Sequence, residues 1–512
     1  MDDQTAPIVV IGAGPIGLAA AAHLAERGLN FAVLESGPTV ASAIEEWRHV
    51  KLFSPWRYDI DPAACRLLQQ TAWPEPDPTT LPTGGDLIDA YLQPLTKTPE
   101  LNNHIRYNTR VVAITRIGYD RLRTAGREAA PFLLRLADGT DLLASAVIDA
   151  SGTWHTPNVL GASGIPAHGE LSLPQTPPHT PSTQGTTHAP PITTGTHPAA
   201  HTSQNPLSPD RVTPAFPSTP GFGSIAHALP DVLGADRDRY ARRRTAVVGA
   251  GHSAATTLID LGRLADAEPG TEIAWVVRGD DQARTYGGGD ADELPARGAL
   301  GSRLKELVRS GRVELISSFR IESVGTANGR VVLTAGERTV VADTVVNSTG
   351  FRPDHTIVSE LRLDLDPILG STRALAPLID PNQHSCGTVP PHGVDELTHP
   401  EPGYYAIGAK SYGRAPTFLL ATGYEQARSV VAALAGDWRA ARDVQLNLPQ
   451  TGVCSSNLAY GNSTTESTTC CAPTPQPANT TTPTPHTPAT NLSVAGLLPL
   501  INNTPNPTTC CD

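Results

Sequence analysis

Apolar and polar positions along the chain form one pattern that occurs twice. A short apolar run leads into a glycine-rich turn and then a stretch of helical character. A second apolar run follows, then strand-like runs joined by tight turns, and finally a short apolar run that stops at a glycine. The first copy spans Ile8 to Gly152 and the second Thr245 to Gly350. Each copy carries one explicit tight turn, Asp138-Gly139 and Asn328-Gly329, dipeptides that suit the positive-φ positions of hairpins. A strand, turn, helix, strand unit builds a parallel sheet, so the repeat predicts an α/β fold with two Rossmann-like dinucleotide-binding domains.

Two stretches break the pattern. Residues 171–220 are dominated by Pro, Thr, Ser and His and hold almost no side chains to bury, which predicts a flexible surface insertion. The tail from Gly452 to Asp512 has a similar Thr, Pro and Asn character, interrupted by an apolar patch at Leu492–Ile501, and is expected to be disordered. At 512 residues the chain exceeds what a single core supports, about 250 to 300 residues. The expected organisation is a first domain in two parts, residues 1–165 and 345–450. A linker and insertion at 166–239 and a second domain at 240–344 lie between the parts, and a tail covers 451–512.

The chemistry is concentrated at the two glycine turns. The first reads Ile8-Val-Val-Ile-Gly-Ala-Gly-Pro-Ile-Gly17, continues as a helix through Arg27 and a strand from Phe31 to Leu34, and ends at Glu35. Gly12 permits the sharp turn out of the strand, Gly14 lets backbone approach a pyrophosphate, and Gly17 lets the helix pack tightly on the sheet. With Pro15 and Ile16 they form an expected phosphate cradle at a helix N-terminus, where unpaired N–H groups and the positive dipole end favour an anion. Glu35 stands where an acidic side chain accepts hydrogen bonds from a ribose diol; an exposed charge at a strand end is the alternative.

The second turn reads Thr245-Ala-Val-Val-Gly-Ala-Gly-His-Ser-Ala254, followed by a helix through Leu264 and a strand from Glu272 to Val277. Gly249, Gly251 and Ala254 take the three glycine roles, and His252 and Ser253 complete the cradle. This strand ends in Arg278. A carboxylate there would repel the 2′-phosphate of NADPH, whereas an arginine favours it, so NADPH is expected over NADH, with Arg284 as a second phosphate contact. The alternative for Arg278 is a solvated basic residue. Two further runs, Ala146 to Gly152 and Thr344 to Gly350, each stop at a glycine where the chain leaves the sheet beside a bound nucleotide.

On the first glycine turn with Glu35, on Gly249-Ala-Gly-His-Ser-Ala254 and on Ser348-Thr-Gly-Phe-Arg-Pro353, the sequence resembles the flavin-containing monooxygenase and pyridine nucleotide-disulfide oxidoreductase superfamily. The resemblance covers roughly 375 residues and omits the insertion and tail. It implies FAD in the first site and NADPH in an inserted second domain, with a late segment returning to the flavin. That segment matches Gly403-Tyr-Tyr-Ala-Ile-Gly408 and a helix from about Thr417 to Leu434, although Ala409 stands where many relatives have Asp. Val112 matches the residue whose backbone meets the adenine; ordinary strand packing is its alternative. Within the superfamily the chain is most like bacterial flavin-binding monooxygenases, including those encoded with arsenic-resistance genes. Trp47-Arg-His-Val-Lys-Leu-Phe-Ser-Pro-Trp56 and Pro82-Thr-Gly-Gly-Asp-Leu87 resemble segments near the isoalloxazine there, with core packing the alternative for Trp47 and Trp56. His252 replaces the Asn of the monooxygenase pattern.

A net charge of -12 provides no basic footprint for nucleic acid. No signal peptide and no run of the ~20 apolar residues of a membrane span is visible, so a soluble cytoplasmic protein acting on a small molecule is expected. The seven cysteines then argue against a disulfide framework. Disulfide reductases of the superfamily keep a spaced cysteine pair beside the flavin. Cys65 and Cys386 stand alone, which favours a monooxygenase whose side chains supply environment rather than covalent chemistry, and no catalytic side chain is assigned. The competing reading is an NADPH-dependent reductase of a disulfide or thiophilic metal ion. It would use the adjacent tail pairs Cys470-Cys471 and Cys510-Cys511, soft ligands that are otherwise unselected residues of the tail. Cys386 and His392 offer a further thiolate candidate in a loop that otherwise covers the flavin, and Tyr286 to Gly289 a mobile element beside the second site.

Overall fold

The run Ile8–Ile11 is apolar at every position because it forms β1, the central strand of a parallel sheet covered on both faces. The computed structural model describes residues 6–176 and 223–446, apart from 288, 290, 291, 293 and 385–388. After β1 come β2 (Phe31–Leu34), β3 (Ile105–Arg106), a meander of β4 (Val111–Arg116), β5 (Phe132–Leu136) and β6 (Asp141–Ala144), and then β7 (Ala146–Asp149). Two short strands, β8 (Gln175–Thr176) and β9 (Ser224–Ala226), precede the second copy, which has β10 (Arg244–Val248), β11 (Glu272–Val276) and β12 (Glu314–Ile316). It continues through the meander β13 (Ser323–Ala327), β14 (Arg330–Ala335) and β15 (Arg338–Ala342) to β16 (Thr344–Asn347), and β17 (Tyr404–Ala406) comes last.

These strands form two parallel sheets, ordered β17-β7-β1-β2-β3 and β12-β11-β10-β16-β9-β8, and each meander is a three-stranded antiparallel sheet. Alternation along β1 divides the first core. Ile8 and Val10 pack toward the helices Pro15–Glu26 and Leu420–Leu434, and Val9 and Ile11 pack with Phe132 and Tyr404 on the meander side. The second sheet repeats the arrangement, with Val247 on the side of the helix His252–Ala267 and Ala246 and Val248 on the side of its meander. The Asn328-Gly329 turn has φ of 51° and 74° at its two residues, as a two-residue hairpin of this hand requires.

The structure differs from the sequence reading at the linker. Residues 175–176 and 224–226, placed there in the insertion and linker, extend the second sheet because β9 pairs with β16 and β8 with β9. The return helix starts at Leu420 rather than Thr417, since Leu419 is extended. Two passages join the sheets: Asn158 N–H donates to the Gly350 carbonyl at 2.8 Å, and Arg352 N–H to the Thr156 carbonyl at 3.0 Å. No helix among the described residues is long and apolar enough to cross a membrane. Most of the 171–220 insertion, the tail with its Leu492–Ile501 patch, Cys386, and the pairs Cys470-Cys471 and Cys510-Cys511 lie outside the described residues.

Candidate functional site

The glycines of the first turn separate into two kinds. Gly12 has φ of +99°, and a Cβ there would lie 2.8 Å from the Ala150 carbonyl oxygen; a Cβ on Gly17 would lie 1.9 Å from the Gly12 carbonyl oxygen. The fold itself therefore requires both. Gly14 is different. Its backbone is extended, with φ of -80° and ψ of -176°, and a Cβ would meet nothing within 4 Å. No contact among the described residues asks for glycine at this position. Gly14 is also the N-cap of the helix Pro15–Glu26 and brings no side chain to cap it, which leaves first-turn N–H groups for an external acceptor.

Glu35 is buried at the end of β2, and its two oxygens accept from Ala13 N–H and Gly37 N–H, both at 2.8 Å. The carboxylate thus ties the turn to the neighbouring strand end, a link between residues 22 apart that the sequence did not reveal. It is not the exposed charge that was its alternative reading. Ile16 packs against the return segment: a Cβ on Gly408 would lie 3.3 Å from it, and one on Gly423 2.5 Å. The Gly408 N–H donates to Gln426 Oε1 at 2.8 Å, so the end of the return strand and the return helix are tied to each other beside Ile16.

The second turn repeats this division. Gly249 has φ of +135°, and its Cβ would fall 2.0 Å from the Ser348 carbonyl oxygen; Ala254 is fully buried under the helix. Gly251 has extended backbone, with φ of -91° and ψ of -178°, caps the helix His252–Ala267 without a side chain, and faces open space. Arg278 is exposed just past β11, with no partner among the described residues. Thr285 Oγ1 donates to the Ala250 carbonyl at 2.9 Å, which pins the short helix Ala283–Tyr286 to the turn. The Arg284 side chain lies outside the described residues. His252 is exposed, Ser253 half-buried, and the His252 ring packs on Phe53 with centroids 5.1 Å apart.

That contact brings the Trp47–Trp56 segment to the second turn. Trp47 meets Trp154, just after Gly152, with centroids 6.4 Å apart; Trp154 in turn packs on His227 at 4.5 Å and on Phe351, just after Gly350, at 5.0 Å. The two exit glycines, with φ of +72° and +91°, therefore feed one aromatic cluster between the sheets. Trp56 is buried core. Val112 is 44% exposed beside a register shift in β4, so it does not have the strand-packing role that was its alternative.

A buried polar cluster escaped the sequence reading. Lys410, two residues after Gly408, is 1% exposed; its Nζ donates to Asp149 Oδ2 at 2.6 Å and to Ser151 Oγ at 3.1 Å. Tyr404 Oη donates to the same Asp149 oxygen at 3.1 Å, and Ser151 Oγ to the other at 2.7 Å. Burial pushes the Asp149 carboxyl up, but the Lys410 charge and the hydrogen bonds from Lys410 and Ser151 outweigh it and hold the group below the ordinary carboxylate range. Burial and the neighbouring Asp149 keep the Tyr404 phenol neutral. Asp149 ends β7 beside the first turn, so the cluster fixes the exit of the first sheet against the return segment. Cys65, the one cysteine among the described residues, lies on the helix Pro62–Gln69; burial pushes its thiol up, away from thiolate reactivity. His392 is buried, with its Nε2 3.1 Å from Gln426 Nε2.

Two parallel sheets, each with a glycine turn at the carboxyl end of its central strand, define a fold with two dinucleotide-binding units. The family model of pyridine nucleotide-disulphide oxidoreductases matches residues 9–184. Among solved structures the chain is similar to the bacillithiol disulfide reductase Bdr (YpdA) from Bacillus cereus, at 15% identity and a TM-score of 0.55, covering 85% of this chain and 99% of that one. It is similar to Bdr from Staphylococcus aureus at 13% identity and a TM-score of 0.53, covering 85% and 99%. It is also similar to DfoA, the cadaverine monooxygenase of desferrioxamine biosynthesis from Erwinia amylovora, at 14% identity and a TM-score of 0.50, covering 85% and 95%. A comparison with curated protein sequences finds no match. The chain thus has the α/β fold of two-unit pyridine nucleotide oxidoreductases, a fold shared by reductases and monooxygenases.

Proposed function

We propose that the chain is a flavin monooxygenase that holds FAD at the first turn and NADPH at the second, takes hydride from NADPH and oxidises a small substrate with O₂. The observation that carries the two-cofactor reading is the pair Gly14 and Gly251. Each is a glycine that neither backbone conformation nor packing requires, each faces open space, and each heads an uncapped helix at the carboxyl end of a parallel sheet. A ligand at the two helix N-termini accounts for them, and a pyrophosphate fits both.

FAD, when bound, supplies two-electron acceptance and reactivity toward O₂. Pro15, Ile16 and Gly17 with Gly12 and Gly14 would hold its pyrophosphate and Glu35 its ribose, while Gly152, Trp47, Gly408 and the backbone at Val112 would line the rest. The Glu35 carboxylate fits that task, since each oxygen accepts one backbone N–H and keeps further acceptor capacity. At the second turn Gly249, Gly251, His252, Ser253 and Ala254 would cradle NADPH beside Gly350, and Arg278 would pair with its 2′-phosphate. A charge-assisted contact of this kind is worth about 1.5 to 3 kcal/mol. Arg278→Ala is therefore expected to shrink the preference for NADPH over NADH by about 10- to 150-fold, mainly through KM for NADPH. An unchanged ratio of kcat/KM for the two cofactors would assign the phosphate to another residue.

We adopt monooxygenase chemistry over disulfide reduction because the described residues bring no spaced cysteine pair to the first turn; Cys65, their one cysteine, lies on the helix Pro62–Gln69. The test is to reduce the protein with NADPH without oxygen and then mix it with air. Reoxidation in two spectroscopically separable phases is expected. A single phase, together with turnover of a disulfide that is lost when the tail cysteines are removed, would favour the reductase instead.

A further inference from the structure

Asp59 closes the short helix Trp56–Asp59 and has no solvent exposure. One of its carboxylate oxygens accepts the Ser54 hydroxyl at 2.7 Å; the other has no partner among the described residues. No cation faces it. The return helix contributes Tyr424, whose hydroxyl donates to the Asp59 carbonyl at 2.7 Å, and Tyr91 lies beyond it; burial drives both phenols well above 10, so they stay neutral. Asp61 is committed to capping the helix Pro62–Gln69 and to His23, and Arg57 is exposed over the Tyr58 ring. Burial therefore pushes the Asp59 carboxyl up to about 7, with Ser54 pulling the other way.

The placement of this acid gives it a task. Ser54 is half-buried and follows Phe53, which packs on His252 of the second turn; His49, earlier in the same segment, acts on Asp260 of the same helix. On the other side, Tyr424 adjoins Gly423, which packs on Ile16 of the first turn. The Ser54–Asp59 pair therefore lies along the path of contacts that links the two turns, with one end buried and the other reaching toward solvent.

We propose that Asp59 and Ser54 form a proton-holding pair between the two nucleotide sites, in which Asp59 binds one proton from water through the Ser54 hydroxyl when the dinucleotide in the first site is reduced, and returns it on reoxidation. The inference rests on the FAD and NADPH reading above. The balance is one proton per reduction. Ser54 passes its hydroxyl proton to an Asp59 oxygen and takes one from water, while both electrons arrive with the hydride of NADPH. A negative charge gained nearby favours the neutral acid, which is the driving force.

The test uses the FAD-loaded full chain and the midpoint potential of its flavin as a function of pH. In the wild type the potential is expected to fall more steeply around pH 7, by one extra proton per reduction, and Asp59→Asn is expected to remove the extra slope while still binding FAD. Ser54→Ala is expected to keep the slope but to slow proton uptake about 10²-fold, as loss of a positioned relay does. Identical slopes in wild type and Asp59→Asn, both holding FAD, would overturn the inference and leave the two-cofactor reading intact. A chain that binds no FAD would overturn that reading and this inference with it. Infrared difference spectra of the wild type, reduced minus oxidised, need no variant: above pH 7 they are expected to show a protonated carboxyl gained on reduction, and its absence would equally overturn the proposal.

Discussion

Gly14→Val is expected to abolish FAD binding while leaving the apoprotein as stable as the wild type. Its backbone lies in the extended region, which a β-branched residue adopts readily, and a Cβ would meet nothing within 4 Å, so neither backbone strain nor a Cβ clash opposes the change in the empty protein. The branched side chain instead fills the space from which a pyrophosphate would approach the helix N-terminus. Gly17→Val is the contrast, because its Cβ would sit 1.9 Å from the Gly12 carbonyl oxygen and the fold must shift. FAD titration and thermal melting of both variants check the pair. Full FAD occupancy in Gly14→Val would remove the first site from the account.

Lys410→Met should destabilise the fold by about 3 to 5 kcal/mol, the usual cost of removing one partner of a buried ion pair. The variant leaves the Asp149 carboxylate buried with Tyr404 and Ser151 but without its cation. Because the folded protein holds Asp149 below its ordinary 3.8, the pair contributes stability above that pH and loses it as pH falls further. The gap between wild type and Lys410→Met is accordingly widest near neutrality and narrows in acid. Adding Asp149→Asn should recover much of the loss, because no charge is then left uncompensated. Denaturant unfolding at several pH values measures all three; a variant that melts with the wild type at neutral pH would show the pair to be energetically idle.

The sequence displayed what depends on local pattern. Gly12, Gly17, Gly249 and Ala254 could be assigned because a turn between a strand and a helix imposes its requirements within a few residues, and Asn328-Gly329 because a hairpin of its hand needs two positive φ angles. Long-range pairings were hidden. Lys410 and Asp149 are 261 residues apart, and the only trace of them was a charged residue inside each of two otherwise apolar runs. The resemblance drew attention to Ala409, where relatives have Asp, and so away from the lysine next to it. Strands β8 and β9 are two and three residues long and flank a Pro- and Thr-rich stretch, so they carried no periodic signal at all. Nothing in the sequence singled out Asp59, which only its burial without a cation among the described residues distinguishes.

The measurement that bears most directly on the central claim is anaerobic mixing of the purified FAD-loaded protein with NADPH or NADH, following the yellow absorbance of the flavin. The account predicts that NADPH bleaches it fully and faster than NADH at equal concentration, and that Arg278→Ala erases most of the difference. A protein that retains no flavin, or one whose flavin stays oxidised with both nicotinamides, would contradict it.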